Sequence, residues 1–436
     1  MNILIIWPPH VPSYFNAGHH LPVFQVGAYL RKLEKIKSVT CIDAGSLNYT
    51  WKDIGDLLVQ NDFDLIAVMN DFDAIDEFKR FTKYIRTLTP KSKIMTFGRL
   101  SKQIPEFFER YDIDSIAHTG DYEASVASYV EYLLGERESI SGINIRENGI
   151  WKKGKIGNFL EPEEWEFPDV NEIPYEAYSK MYLRDANKFC GIPQRRELVI
   201  NVARGCPVGC AYCDVHTMQG KKERRLSVDR VIDYIEKSFQ QQPFEYVSMY
   251  APTFTLNKRW VLEFCDSLIK KGAIYPWKCV TTTFHLTEEL VREMAKSGCV
   301  RISVGVETLD IGAKDSLPKI KQDSEKVFNN IADWCVKYGI ELNCFVILGL
   351  PGETLEGAEY TMQRVREKGG RVRPTIYTPY HLLREDMSEE DVSSFNRQLF
   401  IDGIIDGKEA YEIYQKFFAA EPFPTTIYNK IPEYRS

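Results

Sequence analysis

The stretch RGCPVGCAYC, residues 204–213, places Cys206, Cys210 and Cys213 in one short segment, with gaps of three and then two residues. Gly205, Pro207 and Gly209 lie among them and suit a turning loop rather than a helix. Thiolates so placed can converge on one metal centre, and two chemistries are open. A structural zinc ion takes four protein ligands, and His216, three residues beyond Cys213, could supply the fourth. Thiolates also select iron–sulfur clusters, and a four-iron cubane held by three cysteines keeps one iron open for a substrate or cofactor. The other cysteines (Cys41, Cys190, Cys265, Cys279, Cys299, Cys335 and Cys344) are scattered, often in apolar stretches such as ELNCFVILGL. They read as small buried hydrophobes in a reducing cytosol. No second cysteine cluster follows, so an auxiliary iron–sulfur centre is not expected.

Two histidines could move protons. His285 and His381 fall near the carboxyl ends of strand-like segments, and Tyr377, Thr378 and Tyr380 share that position with His381.

These groups need a scaffold to bring them together. The cysteine loop follows ELVINVA, the first of six strand candidates continued by YVSMYA, KCVTTT, VRISVGVE, LNCFVILG and RPTIYTPY. Helical patterns such as SVDRVIDYIEKSFQQ and SEKVFNNIADWCVKYG alternate with them. Six strand–helix units over residues 196–385 predict a partial (β/α)6 barrel rather than a closed one of eight. Upstream, residues 1–140 also alternate short apolar runs (NILIIW, SVTCIDA, DLIAVMN, SKIMTFG, SIAHTG) with helical spacing. That pattern predicts an α/β, doubly wound, Rossmann-like parallel sheet, with ligands beyond the carboxyl ends of its strands. Those ends carry Pro9, His10, Asn70, Gly98, Arg99, Gly120 and Glu123. Residues 141–195 are rich in Pro, Glu and aromatics and read as an extended connector. Residues 386–436 form a C-terminal segment expected to close the open side of the barrel.

The chain of 436 residues has ample material for these cores, at 44% apolar and 27% charged residues. Its net charge of −7 is spread along the sequence, so no basic face for nucleic acid is expected. No apolar run approaches the ~20 residues of a membrane span. The opening MNILIIWPPH has no basic leader and reads as a first strand rather than a signal peptide. A cytoplasmic protein that binds neither membrane nor nucleic acid is the expectation.

The spacing Cys206-x3-Cys210-x2-Cys213, with aromatic Tyr212 before the third cysteine and a barrel-like series around it, resembles the radical SAM superfamily. The resemblance implies a [4Fe–4S] cluster on the three cysteines, its open iron binding the amino and carboxylate groups of S-adenosylmethionine (SAM). Reductive cleavage would then give a 5′-deoxyadenosyl radical that takes hydrogen from an unactivated carbon. On this resemblance Ala251 and Thr253 lie where SAM's amino group would be met, although the family's glycine-rich wording is absent there. Ser303 and Glu307 of SVGVET lie where its ribose would be. Gly349, Leu350, Pro351 and Glu353 of ILGLPGET lie beside its adenine.

Residues 1–140 resemble the cobalamin-binding domain that precedes the barrel in a large radical SAM subgroup, the class B methyltransferase type. WPPH follows the first strand, TFGRLSKQIPEFF stands where Gly-Gly is common, and HTGDYEAS where Gly-x-Gly-Glu is. Gly98 and Gly120 would let the nucleotide tail of a cobalamin approach the backbone. Arg99 replaces the second glycine, and no Asp-x-His-x-x-Gly offers a histidine to cobalt. The resemblance implies cobalamin-dependent methylation of an unactivated carbon in a natural-product or peptide substrate, with electrons from a flavodoxin- or ferredoxin-type donor. The alternative is a cobalamin-independent radical dehydratase, epimerase or rearrangement enzyme on a sugar-like intermediate, its first domain a scaffold. A sensor built on a structural metal is a third reading.

Overall fold

The structure is a computed structural model and describes residues 1–9, 20–136, 140–184, 191–192, 195–322 and 324–397. His10 and the segment 398–436 lie outside the described residues, and so does most of the C-terminal segment. The chain divides into two compact units. The first comprises residues 1–189, 214–220 and 379–396, and the second comprises 190–213, 221–378 and 397–436.

The first unit is built on one sheet with strand order β2-β1-β3-β4-β5-β6-β7. Its strands are β1 (Asn2–Trp7), β2 (Ser38–Asp43), β3 (Leu65–Asn70), β4 (Lys93–Gly98), β5 (Ser115–Ala117), β6 (Ile143–Glu147) and β7 (Ile150–Lys152). Strands β1 to β5 are parallel, and the helices α1 (Leu21–Leu30), α2 (Trp51–Gln60), α3 (Ile75–Leu88), α4 (Arg99–Gln103) and α5 (Tyr122–Leu133) follow them in turn. Ile3 to Trp7 and Leu65 to Val68 are fully buried, as expected of a parallel sheet covered on both faces. Phe78 of α3 anchors the core edge-on to Phe108 and Tyr111, with ring centroids 5.2 and 5.1 Å away. The order reverses between β1 and β3, which makes their carboxyl ends the crevice where such sheets take ligands.

The expected connector is not a separate piece. Strands β6 and β7 extend the first sheet as an antiparallel hairpin turning at Asn148 (φ 50°) and Gly149 (φ 81°), a pair suited to a two-residue turn. Helix α6 (Tyr175–Arg184) also belongs to this unit, as do α7 (Val215–Gln219) and α13 (Glu389–Ser394).

The second unit holds six parallel strands among the described residues, in the order β15-β14-β13-β12-β11-β8. They are β8 (Glu197–Asn201), β11 (Tyr246–Tyr250), β12 (Trp277–Thr282), β13 (Cys299–Glu307), β14 (Glu341–Leu348) and β15 (Arg371–Ile376). A small antiparallel pair, β9 (Ala203–Arg204) with β10 (Arg224–Arg225), flanks the cysteine loop. Helices α8 (Val228–Gln241), α9 (Lys258–Lys271), α10 (Glu288–Lys296), α11 (Ser324–Tyr338) and α12 (Leu355–Glu367) connect successive strands. The partial barrel and the doubly wound sheet are both as the sequence led us to expect.

Candidate functional site

The cysteine loop leaves the carboxyl end of β8. Gly205 (φ 80°) and Gly209 (φ 69°) occupy the left-handed region on either side of Cys206, where a side chain would be strained. The Cys213 amide donates to the Cys210 carbonyl at 3.0 Å and closes the second gap. All three are free thiols; Cys206 and Cys210 are half-buried, and Cys213 is exposed. Cys206 Sγ lies 4.0 Å from Thr253 Oγ1, so the loop and the end of β11 meet. Among the described residues no three or more His, Cys, Asp or Glu side chains are gathered for a single metal ion. Three soft thiols on one glycine-permitted loop suit a multi-iron cluster instead, in which each sulfur ligates its own iron.

Facing the loop, β13 ends in an unusual way. Its pairing with β14 shifts between Gly305 and Glu307, and Glu307 takes φ 64°, strained for a residue with a side chain. The turn folds the carboxylate back over Gly305, where an added Cβ would strike it. Glu307 Oε1 accepts from Lys321 Nζ at 2.6 Å and from the Tyr212 hydroxyl at 3.1 Å, while Lys321 Nζ is also 2.8 Å from the Tyr212 oxygen. Burial would lower the Lys321 pKa, but Glu307 beside it outweighs that and raises it. Burial also raises the Cys210 thiol, opposed by the Lys321 charge. A buried ammonium is thus locked next to the cysteine loop.

In the first unit, polar side chains gather at the sheet's carboxyl edge. His20 stacks on Trp7 at 3.9 Å, its Nδ1 2.6 Å from Asp43 Oδ2, and the Tyr178 hydroxyl donates to the same oxygen at 2.7 Å. Burial would raise the Asp43 carboxyl, but His20 overrides it and the pKa falls. His20 Nε2 is buried with no hydrogen-bond partner. Beyond β3 and β4, Arg99 Nε lies 3.6 Å from Asp71 and 3.3 Å from Asp214, and its NH1 donates to the Tyr380 hydroxyl at 3.1 Å. Lys102 donates to the Met218 carbonyl at 2.7 Å and sits over the Tyr122 ring.

The comparisons with known proteins bear on both units. Residues 200–365 match the Radical SAM superfamily. This is a radical SAM enzyme. An uncharacterized methyltransferase of Pyrococcus horikoshii is 25% identical over 394 residues, 87% of this chain and 81% of that protein. The anaerobic magnesium-protoporphyrin IX monomethyl ester cyclase of Rubrivivax gelatinosus is 26% identical over 265 residues, 57% of this chain but only 47% of the cyclase. Among solved structures, the radical SAM methyltransferase TsrM of Kitasatospora setae, determined with cobalamin and a [4Fe–4S] cluster, aligns with TM-score 0.68 at 14% identity. The match covers 87% of this chain and 76% of TsrM. The cobalamin-dependent radical SAM enzyme OxsB aligns with TM-score 0.64 at 18% identity, covering 94% of this chain and 56% of OxsB. These structural likenesses are of fold, and they extend across both units.

The radical SAM enzyme places its expected site residues unevenly. Tyr212 joins a small apolar cluster with Leu350, Tyr377, Ile347, Ala313 and Leu317 at the carboxyl edge of the barrel. The Gly349 amide (φ 86°) donates to Glu353 at 2.7 Å, and burial pushes the Glu353 carboxyl up to about 7. Pro351 is exposed in the same turn, and Ala251 is buried beside Thr253. Ser303 departs from the expectation: it lies two side-chain layers below Glu307, inside the barrel, and accepts from Asn343 at 3.2 Å. His285 is half-buried against Phe284, and burial lowers its pKa. Tyr380 and His381 belong to the first unit, where Tyr380 meets Arg99 and His381 is exposed, so neither is a residue of the barrel unit.

Two of the expected glycines, Gly98 and Gly120, pack closely against the chain itself. An added Cβ at Gly98 would strike the Asn70 backbone, and one at Gly120 would strike the backbone of Gly157 and Asn158. At both positions the close approach on the Cβ side is made by the chain's own backbone. Asn70 serves the same packing, its side chain bonded to Thr96 and to the Ser101 amide. Pro9 and Glu123 are buried in this unit. Lys321 was missed by the sequence reading, because PKIKQDSE looks like any solvated lysine-rich turn.

Proposed function

We propose that this radical SAM enzyme is a cobalamin-dependent C-methyltransferase acting on an unactivated carbon of a natural-product or peptide substrate. The observation that carries the reading is the pairing of folds: a sheet of order 2-1-3-4-5 precedes a six-stranded barrel whose first strand bears the cysteine loop. TsrM and OxsB align across both units, with TM-scores of 0.68 and 0.64. Toward a corrin, the first unit offers the crevice between the β1 and β3 ends and one buried, unpartnered nitrogen, His20 Nε2. When bound, the cluster with SAM supplies a radical able to take hydrogen from carbon, and the corrin supplies a methyl group to replace it. Cys206, Cys210 and Cys213 would hold the cluster, and Lys321 and Tyr212 brace Glu307 beside it. Tyr377, Leu350 and Ile347 give an apolar wall that keeps water from that rim.

A second reading is favoured by the Arg99 cluster, which puts a buried, acid-paired guanidinium at the carboxyl edge of the first sheet. It suits a first unit that acts as scaffold for a cobalamin-independent radical dehydration or rearrangement. One experiment separates the two. The protein is reconstituted with iron and sulfide without oxygen, incubated with hydroxocobalamin, desalted, and its visible spectrum recorded. Near-stoichiometric retained corrin is expected for the methyltransferase. An intact cluster with no retained corrin sinks that reading and moves the assignment to the second.

A further inference from the structure

One buried histidine at the carboxyl edge of the first sheet has only half of its ring's bonding capacity in use. β1 ends at Trp7 and β2 at Asp43, and the two residues are level in the register. His20 immediately precedes α1 and lies flat on the Trp7 ring, with centroids 3.9 Å apart and an interplanar angle of 15°. It is 1% exposed, and its side chain caps no amide of the helix. The imidazole therefore stands over the end of β1, bordering the crevice between β1 and β3, and the helix makes no use of it.

The ring is held from one side. Its Nδ1 is 2.6 Å from Asp43 Oδ2, which also accepts from the Tyr178 hydroxyl at 2.7 Å. Asp43 Oδ1 accepts from the Ser46 amide at 3.0 Å, and the Tyr178 hydroxyl accepts from the His20 amide at 3.3 Å. Asp43 is fully buried, and donors meet both of its oxygens, an arrangement that favours the ionised carboxylate. An ionised carboxylate can only accept. The ring proton is thereby assigned to Nδ1, and the neutral imidazole presents a lone pair at Nε2. Nε2 is buried and has no hydrogen-bond partner within the chain. A buried polar atom left in that condition is costly.

A metal-bound histidine characteristically gives its second N–H to a carboxylate, which fixes the tautomer and raises the basicity of the ligating nitrogen. Imidazole is a ligand for transition metals. A metal held by protein alone needs several such groups. Among the described residues no three or more His, Cys, Asp or Glu side chains are gathered for one ion. A metal that meets this nitrogen must therefore bring its other ligands with it. A corrin does so, because the macrocycle fills the equatorial positions of cobalt and leaves the axial ones to other donors. We infer that His20 Nε2 is the axial protein ligand to the cobalt of a corrin, with Asp43 and Tyr178 fixing the ring and Trp7 backing it. The sequence has no Asp-x-His-x-x-Gly, but the fold assembles a carboxylate–imidazole pair from residues 23 positions apart. The inference rests on the corrin-binding reading above and goes beyond it in naming the coordination.

The test is spectroscopic and needs no substrate. The full chain is labelled with 15N-histidine, reconstituted with iron and sulfide, loaded with unlabelled hydroxocobalamin and desalted. Mild reduction then gives cob(II)alamin while the cluster stays diamagnetic, and the electron paramagnetic resonance spectrum is recorded. An axial nitrogen splits each cobalt line, into a triplet for ordinary nitrogen and a doublet for the heavy isotope. A doublet is expected, since the benzimidazole of cobalamin itself would give the triplet. His20→Ala should lose the doublet, and added unlabelled imidazole should replace it with a triplet. Asp43→Asn should lower the ratio of histidine-bound to histidine-free cobalt about tenfold. Retained corrin with no splitting, or with a triplet in the labelled wild type, overturns the inference and leaves corrin binding standing. So does an undiminished doublet in His20→Ala, or its loss in His10→Ala or His19→Ala with His20 intact. An intact cluster with no retained corrin in the wild type overturns the methyl-transfer reading, and this inference with it.

Discussion

The two parallel sheets of this chain obey the same strand–helix–strand logic and solve burial in opposite ways. In the first unit, β1 and β3 are covered on both faces, and the residues Leu4, Ile5, Ile6, Ile66, Ala67 and Val68 are fully buried irrespective of which side they face. In the second, the sheet curls so that helices cover only its outer face. β13 then reads Ile302 and Val304 outward against Arg301, Ser303 and Gly305 inward. A flat sheet packed on both sides can put chemistry only at its strand ends. A curled one gains a whole inner surface, and this chain gives that surface to arginine, asparagine and serine rather than to a packed core. The comparison explains why the polar groups of the first unit gather at the carboxyl edge, whereas those of the second run from the floor of the barrel to its rim.

The largest test of the contrast is in the first core. Phe78→Ala removes a ring packed edge-on against two aromatics and should cost about 3–5 kcal/mol, read as a shift in the urea midpoint of the first unit. Cluster absorbance of the second unit should survive at urea concentrations where the variant's first unit has unfolded. Simultaneous loss of both signals would mean that the two units fold as one and that the contrast is not thermodynamic.

A smaller effect is expected at the rim. Lys321→Met leaves the Glu307 carboxylate buried without its cation, and should destabilise the second unit by about 3 kcal/mol. Adding Glu307→Gln should restore most of that loss, because a neutral amide needs no counter-charge. A double variant no more stable than Lys321→Met would show that the pair is not the coupled unit its geometry suggests.

The smallest effect is a pH slope. The folded Glu353 carboxyl keeps its proton up to about 7 through burial, while an unfolded glutamate releases it near ~4.3. Between those values the folded state binds more protons than the unfolded state, so stability falls as pH rises through that window, by at most about 1.4 kcal/mol per pH unit. Glu353→Gln should flatten this part of the stability curve measured by thermal unfolding between pH 4 and pH 8. An unchanged slope would place the titrating group elsewhere.

Much of the molecule was legible before any coordinate. Unbroken apolar runs such as ILIIW, and the alternation of CVRISVGVE, are the direct signatures of a sheet buried on both faces and of one buried on a single face. The cysteine spacing is local chemistry, readable because all three ligands lie on one loop. The hairpin of β6 and β7 was legible too, since ENGI carries the Asn-Gly turn, but a surrounding text rich in Pro and Glu disguised it as a connector.

What no local reading reached depended on contacts between distant segments. Lys321 became a site residue only because β13 ends in a strained turn that brings Glu307 and Tyr212, fourteen and 109 residues away, to one ammonium. Gly98 and Gly120 carry the composition of ligand-approach glycines, yet the neighbour that comes close is the chain's own backbone, from Asn70 and Asn158. Tyr380 and His381 follow the last barrel strand in sequence, but packing assigns them to the other unit. Sequence by itself determined the two sheets, their order of elements and the cluster loop, because periodicity and spacing act over a few residues. Tertiary structure alone decided which charges face inward and which cations they meet, because burial and electrostatic pairing are properties of neighbours in space.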